Sequence, residues 1–133
     1  MSKNTSIAIT EKEELVAAVE QQGLAELIKP LTKEIHLFDT FIAGTTHLQE
    51  PDVLDTVKSG DKLTLRREAN KFDDNAILVL NAENKKLGYV PEMDNLVFAR
   101  LMDAGKMLIA KIKDISMKGS FKKISIGIYL VDF

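Results

Sequence analysis

The chain has 133 residues, 45% of them apolar, with a formal net charge of −2 and a pI near 5.7. That length suits one domain with a terminal appendage and is enough for a real core. The acidic balance argues against a protein that coats duplex DNA by charge alone. The absence of cysteine excludes a disulfide framework or a thiolate zinc site.

In chain order, residues 1–9 read as a leader without the apolar segment of a secretory signal. Thr10-Glu11-Lys12-Glu13 is a capping box, so a helix is expected to about Ile28. Its apolar positions are Leu15, Val16, Val19, Leu24, Leu27 and Ile28; Gly23 weakens it and Pro30 ends it. This divides the chain into a leader with an N-terminal helix, 1–30, and a second part, 31–133. Glu34 to Gly44 reads as a long strand, with Ile35, Leu37 and Phe41 on one face and Phe38, Thr40 and Ile42 on the other. Asp52 to Lys58 suits a short helical turn. Strands are expected at Lys62–Arg66, Ala76–Leu80 and Lys86–Val90. Asp94 is placed to cap a helix through Ala104, with Val97, Phe98, Leu101 and Met102 on one face and Gly105 at C′.

Met107–Lys113 and Lys122–Val131 then form a hairpin around Lys118-Gly119-Ser120. In its last strand Ile124, Ile126, Ile128 and Leu130 alternate with Ser125, Gly127 and Tyr129, which marks one buried face. Gly127 is a candidate for a bend at a barrel corner. Strands dominate and short turns join them, which predicts a mainly β fold: a small closed or partly open barrel. No apolar run approaches ~18 residues, so no membrane span is expected, and the expected location is cytoplasmic.

Charge is unevenly placed. Residues 1–60 carry ten acids and five bases; residues 61–133 carry ten acids and thirteen bases. Six lysines (106, 111, 113, 118, 122 and 123) stand against Asp114 near the C-terminal end. They fit either a solvated surface that protects a sheet edge or a modest basic face.

The most informative stretch is Leu65 to Leu80. A strand ends in paired arginines, a polar turn follows, and an aliphatic strand begins. Arg66, Arg67, Asn70, Lys71, Phe72, Asp73 and Asn75 thereby gather at one corner. Two readings fit. Cations, a flat ring, a carboxylate and side-chain amides suit a nucleotide's phosphate, base and sugar hydroxyl. An ordinary turn uses the same Asn and Asp side chains to bond local backbone.

Signals of catalysis are few. Neither His36 nor His47 has a partner at metal-ligand spacing, so no metal and no cofactor are expected. There is no nucleophile elbow, P-loop or dinucleotide fingerprint. Asp39 lies between apolar strand residues and needs a partner. Asp73 and Asp74 could serve acid–base chemistry, but adjacent acids in a turn usually face solvent.

The corner also carries a resemblance. Arg67-Glu68-Ala69-Asn70-Lys71-Phe72-Asp73-Asp74-Asn75-Ala76-Ile77, then Leu87-Gly88-Tyr89-Val90-Pro91, resembles the HIRAN domain family. Phe41-Ile42-Ala43-Gly44 and the helix containing Ala99, Leu101 and Met102 extend the match over roughly Glu34 to Val131. The resemblance implies a small OB-like or SH3-like six-stranded β-barrel with two helices, here preceded by the N-terminal helix. It also implies binding of single-stranded DNA at its 3′ end, with Asp73 as the carboxylate on the terminal hydroxyl and Phe72 as the ring against the bases. Asn70 and Asn75 match the polar turn positions. Thr46, His47 and Tyr89 fall near further DNA-contacting positions. The chain departs from the family pattern at four places. Phe72 lacks a phenolic hydroxyl, Thr46 lacks a cation, Pro91 and Glu92 stand near a lysine position, and Ala69 replaces a proline.

The leading expectation is thus a noncatalytic nucleic-acid-binding module for single-stranded DNA ends, with RNA left open and a role in DNA repair or replication-fork processing. The alternative is a protein-interaction barrel that self-associates or binds a protein through the N-terminal helix. A small hydrolase comes third.

Overall fold

The computed structural model describes residues 32–132. The expected N-terminal helix lies outside the described residues. Six strands form one sheet: β1 (Lys33–Phe41), β2 (Lys62–Arg67), β3 (Ile77–Leu80), β4 (Lys86–Tyr89), β5 (Met107–Lys118) and β6 (Phe121–Asp132). Their order is β1-β6-β5-β2-β3-β4. The sheet curls into a half-barrel, and its two edges meet at one point. There Ala43 N–H donates to Tyr89 O at 2.8 Å and Tyr89 N–H donates to Ala43 O at 2.9 Å.

Gly88 makes this closure possible. Its φ is +154°, and a Cβ there would lie 2.3 Å from Ala43 O and 2.6 Å from Ile42 Cγ2. Only a residue without a side chain lets the two edges approach so closely.

One α-helix, α1 (Asn95–Asp103), lies among the described residues, not the two expected beyond the N-terminal helix. The other helical pieces are 3₁₀ turns at Thr45–His47 and Pro51–Asp55; the second replaces the longer turn expected over 52–58. Helix α1 ends as its sequence implies. Gly105 has φ +92°, its N–H bonds Met102 O, and Lys106 N–H bonds Leu101 O, both at 3.0 Å. Its start differs from expectation. Asp94 makes no side-chain cap; its Oδ2 accepts from Thr40 Oγ1 at 2.8 Å, tying the helix to β1. The buried stripe of α1 is Asn95, Phe98 and Ala99, whereas Val97 is 62% exposed. The sequence grouped Val97 with Phe98, but the i, i+3, i+4 row from Asn95 is the one that meets the sheet.

The core contains Leu63, Leu65, Ile77, Val79, Leu87, Leu108, Ala110 and Ile112. Ile124, Ile126 and Ile128 are fully buried within it, as the alternation in β6 predicts. Val53 and Phe98 add to it from a 3₁₀ turn and from α1. Each fully buried aliphatic side chain contributes about 1.5–3 kcal/mol. The β5–β6 hairpin runs farther than expected, pairing to Lys118↔Phe121. Its irregularity falls between Ile112 and Asp114 on β5, not at Gly127. Gly127 instead makes room: a Cβ there would meet the Tyr129 ring at 3.0 Å and Asp39 Oδ1 at 3.3 Å.

Strand β1 divides its faces much as its sequence suggests near its C-terminal end. Phe38 packs on Phe98 with ring centroids 5.7 Å apart, Thr40 reaches Asp94, and Ile42 is buried. Phe41 lies under Lys123 Nζ at 5.5 Å.

The run of lysines does not form one free basic face. Lys111 and Lys62 share Glu34, Lys113 bonds Asp39 at 3.0 Å, and Lys122 reaches Asp55 and Leu54 O. Lys111 first and then Lys62 hold the Glu34 carboxyl below its usual range. Asp39 is more than half exposed, so burial does not demand a partner; it nevertheless bonds His36 Nε2 at 2.6 Å and Lys113. These two, His36 foremost, also lower its pKa.

Candidate nucleic-acid interface

The corner between β2 and β3 is built by its own side chains. Asn70 Oδ1 accepts from Phe72 N–H at 2.8 Å and from Asp73 N–H at 3.0 Å. Asp73 Oδ1 accepts from Asn75 N–H at 2.8 Å. Glu68 N–H closes the base of the loop on Ala76 O at 2.9 Å. The ordinary-turn reading therefore describes what Asn70 and one oxygen of Asp73 do. It gives the Phe72 side chain no part in the turn. That ring is 84% exposed, with Lys71 Nζ 5.1 Å from its centroid.

Asp73 is half-buried and fixed from two sides. Besides the Asn75 amide, Asn95 Nδ2 donates to its Oδ2 at 2.8 Å. Asn95 lies in the first turn of α1 and is 2% exposed. A carboxylate offers about four lone-pair sites. These two bonds use one on each oxygen, so acceptor capacity remains for an outside donor.

The paired arginines part company. Successive strand residues point to opposite faces, and Arg66 is exposed on the solvent side of β2. Arg67 turns inward and braces the corner. Its Nε and Nη2 donate to the two Asp103 oxygens at 2.9 and 3.2 Å, Nη1 to Ala76 O at 2.7 Å, and Nη2 to Asp74 O at 2.8 Å. The guanidinium and carboxylate shift each other, Arg67 up and Asp103 down. The nearby Asp73 and Asp74 add to the upward shift of Arg67.

Edge closure brings in the remaining sequence-derived residues. Gly44 lies against the Tyr89 ring, and the exposed Thr46 and His47 follow it in the first 3₁₀ turn. Tyr89 Oη donates to Glu68 Oε1 at 2.6 Å and accepts from Lys86 Nζ at 3.1 Å. Asn70 Nδ2 reaches the same Glu68 oxygen at 3.3 Å. One chain of hydrogen bonds thus runs from Lys86 through Tyr89 and Glu68 to the corner. Sequence reasoning missed Asn95, Glu68 and Lys86 as parts of the site. Glu68 and Lys86 stood inside or beside quoted motifs, whereas nothing local marks Asn95. Among the described residues no group of three or more His, Asp or Glu is placed to hold a metal, and no helix is long and apolar enough to cross a membrane.

The site is thus an exposed ring beside a braced carboxylate on a curled, mainly β half-barrel. The HIRAN domain model matches residues 35–130, and the chain belongs to that family, one of DNA-binding modules. A protein from Lactobacillus plantarum is similar at 25% identity and a TM-score of 0.71, over 77% of this chain and 99% of that one. The HIRAN domain of human HLTF shares the fold, with a TM-score of 0.60 at 16% identity, over 76% of this chain and 79% of that one. No curated protein matches the chain.

Proposed function

We propose that this chain is a noncatalytic module that binds the 3′ end of single-stranded DNA in the cytoplasm, in DNA repair or replication-fork processing. The observation that carries the reading is Asp73. It is a half-buried carboxylate held by Asn75 and Asn95, with acceptor capacity to spare, directly beside the exposed ring of Phe72. A terminal 3′-hydroxyl donates to such a carboxylate, and the last base stacks on such a ring. The test is fluorescence anisotropy with a short oligonucleotide carrying a free or a phosphorylated 3′ end. Tighter binding of the free end is expected; equal affinities reject end recognition.

One observation favours a second reading, a protein-interaction module. Leu37, Phe38, Val97, Phe98 and Leu101 line an apolar groove between β1 and α1. Absence of oligonucleotide binding at low salt, together with self-association that Val97→Asp abolishes in sedimentation, would favour it.

A further inference from the structure

Binding a strand by its end requires cations for the phosphates that lead to that end, and the corner supplies few. Arg67 spends its donors on Asp103 and two carbonyls. Arg66 faces the other side of β2. At the corner Glu68, Asp73 and Asp74 outnumber Arg67 and Lys71, so phosphates gain little by staying there.

The hydrogen-bond chain through Tyr89 leads to where they can go. Lys86, whose Nζ lies 4.4 Å from the Tyr89 ring centroid, also lines a cleft of about 470 Å³. His47, Leu48 and Glu50 line the cleft together with Asn84, Lys85 and Lys86. Asn84 holds φ +63°, the left-handed conformation that turns the chain so that Lys85 and Lys86 follow it at the cleft. Among the described residues Lys85 is ion-paired only with Glu50, 3.8 Å away, and both side chains are more than half exposed. Such a pair contributes little and yields readily to a phosphate. Lys86 therefore links the cleft to the corner through Tyr89 and Glu68, and the cleft presents two lysines and a histidine against the single carboxylate of Glu50.

We propose that this cleft is the path of the sugar-phosphate backbone leading to the end held at Asp73, with Lys85 and Lys86 as its phosphate-binding residues. The assignment rests on the end-binding reading for its direction, but its test is separate. The probe is an oligothymidylate of about eight nucleotides, within the usual site size for such barrels. Its affinity is measured against salt for the parent, Lys85→Gln, and Lys85→Gln with Lys86→Gln.

Each phosphate neutralised on a single strand contributes about 0.7 to the slope of log affinity against log salt. The double variant should therefore lose about 1.4 from that slope and Lys85→Gln about half as much. Lys86→Arg should keep the parental slope. The ratio of free-end to blocked-end affinity should stay at the parental value in Lys85→Gln, because Asp73 is untouched. An unchanged slope in the double variant, with end preference intact, overturns the cleft path and leaves end recognition standing. Loss of slope in a protein without end preference upholds the cleft as a phosphate path and rejects the end reading. A parent that binds no oligonucleotide at low salt overturns both.

Discussion

Asn95 Nδ2 donates to Asp73 Oδ2 at 2.8 Å, joining the first turn of α1 to the β2–β3 corner 22 positions earlier in the chain. The amide is buried and the carboxylate half-buried, so the bond sets the carboxylate's orientation at the edge of solvent. If Asp73 accepts from a 3′-hydroxyl, Asp73→Ala should weaken binding to free 3′ ends. A charge-assisted hydrogen bond is worth roughly 1.5–3 kcal/mol, or about ten- to a hundredfold. The same change should barely alter binding of a 3′-phosphorylated strand. Asn95→Ala should lower free-end affinity in the same direction by less, since it removes the positioning bond and leaves the acceptor. Anisotropy titrations of the two variants, side by side, measure both effects.

Phe72→Ala should cost about 1–3 kcal/mol of oligonucleotide affinity, the worth of one base stacked on a ring. Stability should change little, because the ring is exposed. A loss of melting temperature without loss of affinity would mean that the ring serves the fold.

Gly88→Ala should open the barrel's edge. The backbone conformation alone costs about 1–3 kcal/mol for a residue with a side chain, and the added carbon would also push Ala43 away from Tyr89. Denaturant melts should show that loss. Amide exchange at Ala43 and Tyr89 should rise with it.

Ile126→Ala should cost about 2–5 kcal/mol, through lost transfer energy and the cavity left behind. Ile126 is fully buried between strands, so the site has little freedom to collapse. A cost below ~0.5 kcal/mol in denaturant melts would contradict its place in the core.

The Arg67–Asp103 brace predicts a pH dependence. Arg67 first, with help from Arg100, holds the Asp103 carboxyl below the usual range. A carboxylate with a depressed folded-state pKa contributes stability above its unfolded value, about 3.9, and loses it as pH falls through the folded value. The melting-temperature gap between the parent and Asp103→Asn should therefore be widest near neutral pH and shrink below about pH 4. Asp39 titrates in the same direction in both proteins, so the difference isolates Asp103. A gap that stays constant down to acid pH would mean that the ion pair contributes nothing.

Local pattern in the sequence determined the strands, the burial of Ile124, Ile126 and Ile128, the glycine that ends α1 and the corner with its Asn, Phe and Asp. Those features follow from side-chain alternation, cap chemistry and turn chemistry over a few residues, which a linear string records directly. The tertiary structure alone decided that Arg67 braces Asp103 across 36 positions, that Asn95 orients Asp73, and that Val97 faces outward. It alone decided that the sheet's edges meet at Ala43 and Tyr89, and that Tyr89 reaches Glu68 at the corner. Polar partners far apart in sequence are chosen by which elements the curl of the sheet brings together, and no local periodicity encodes that choice.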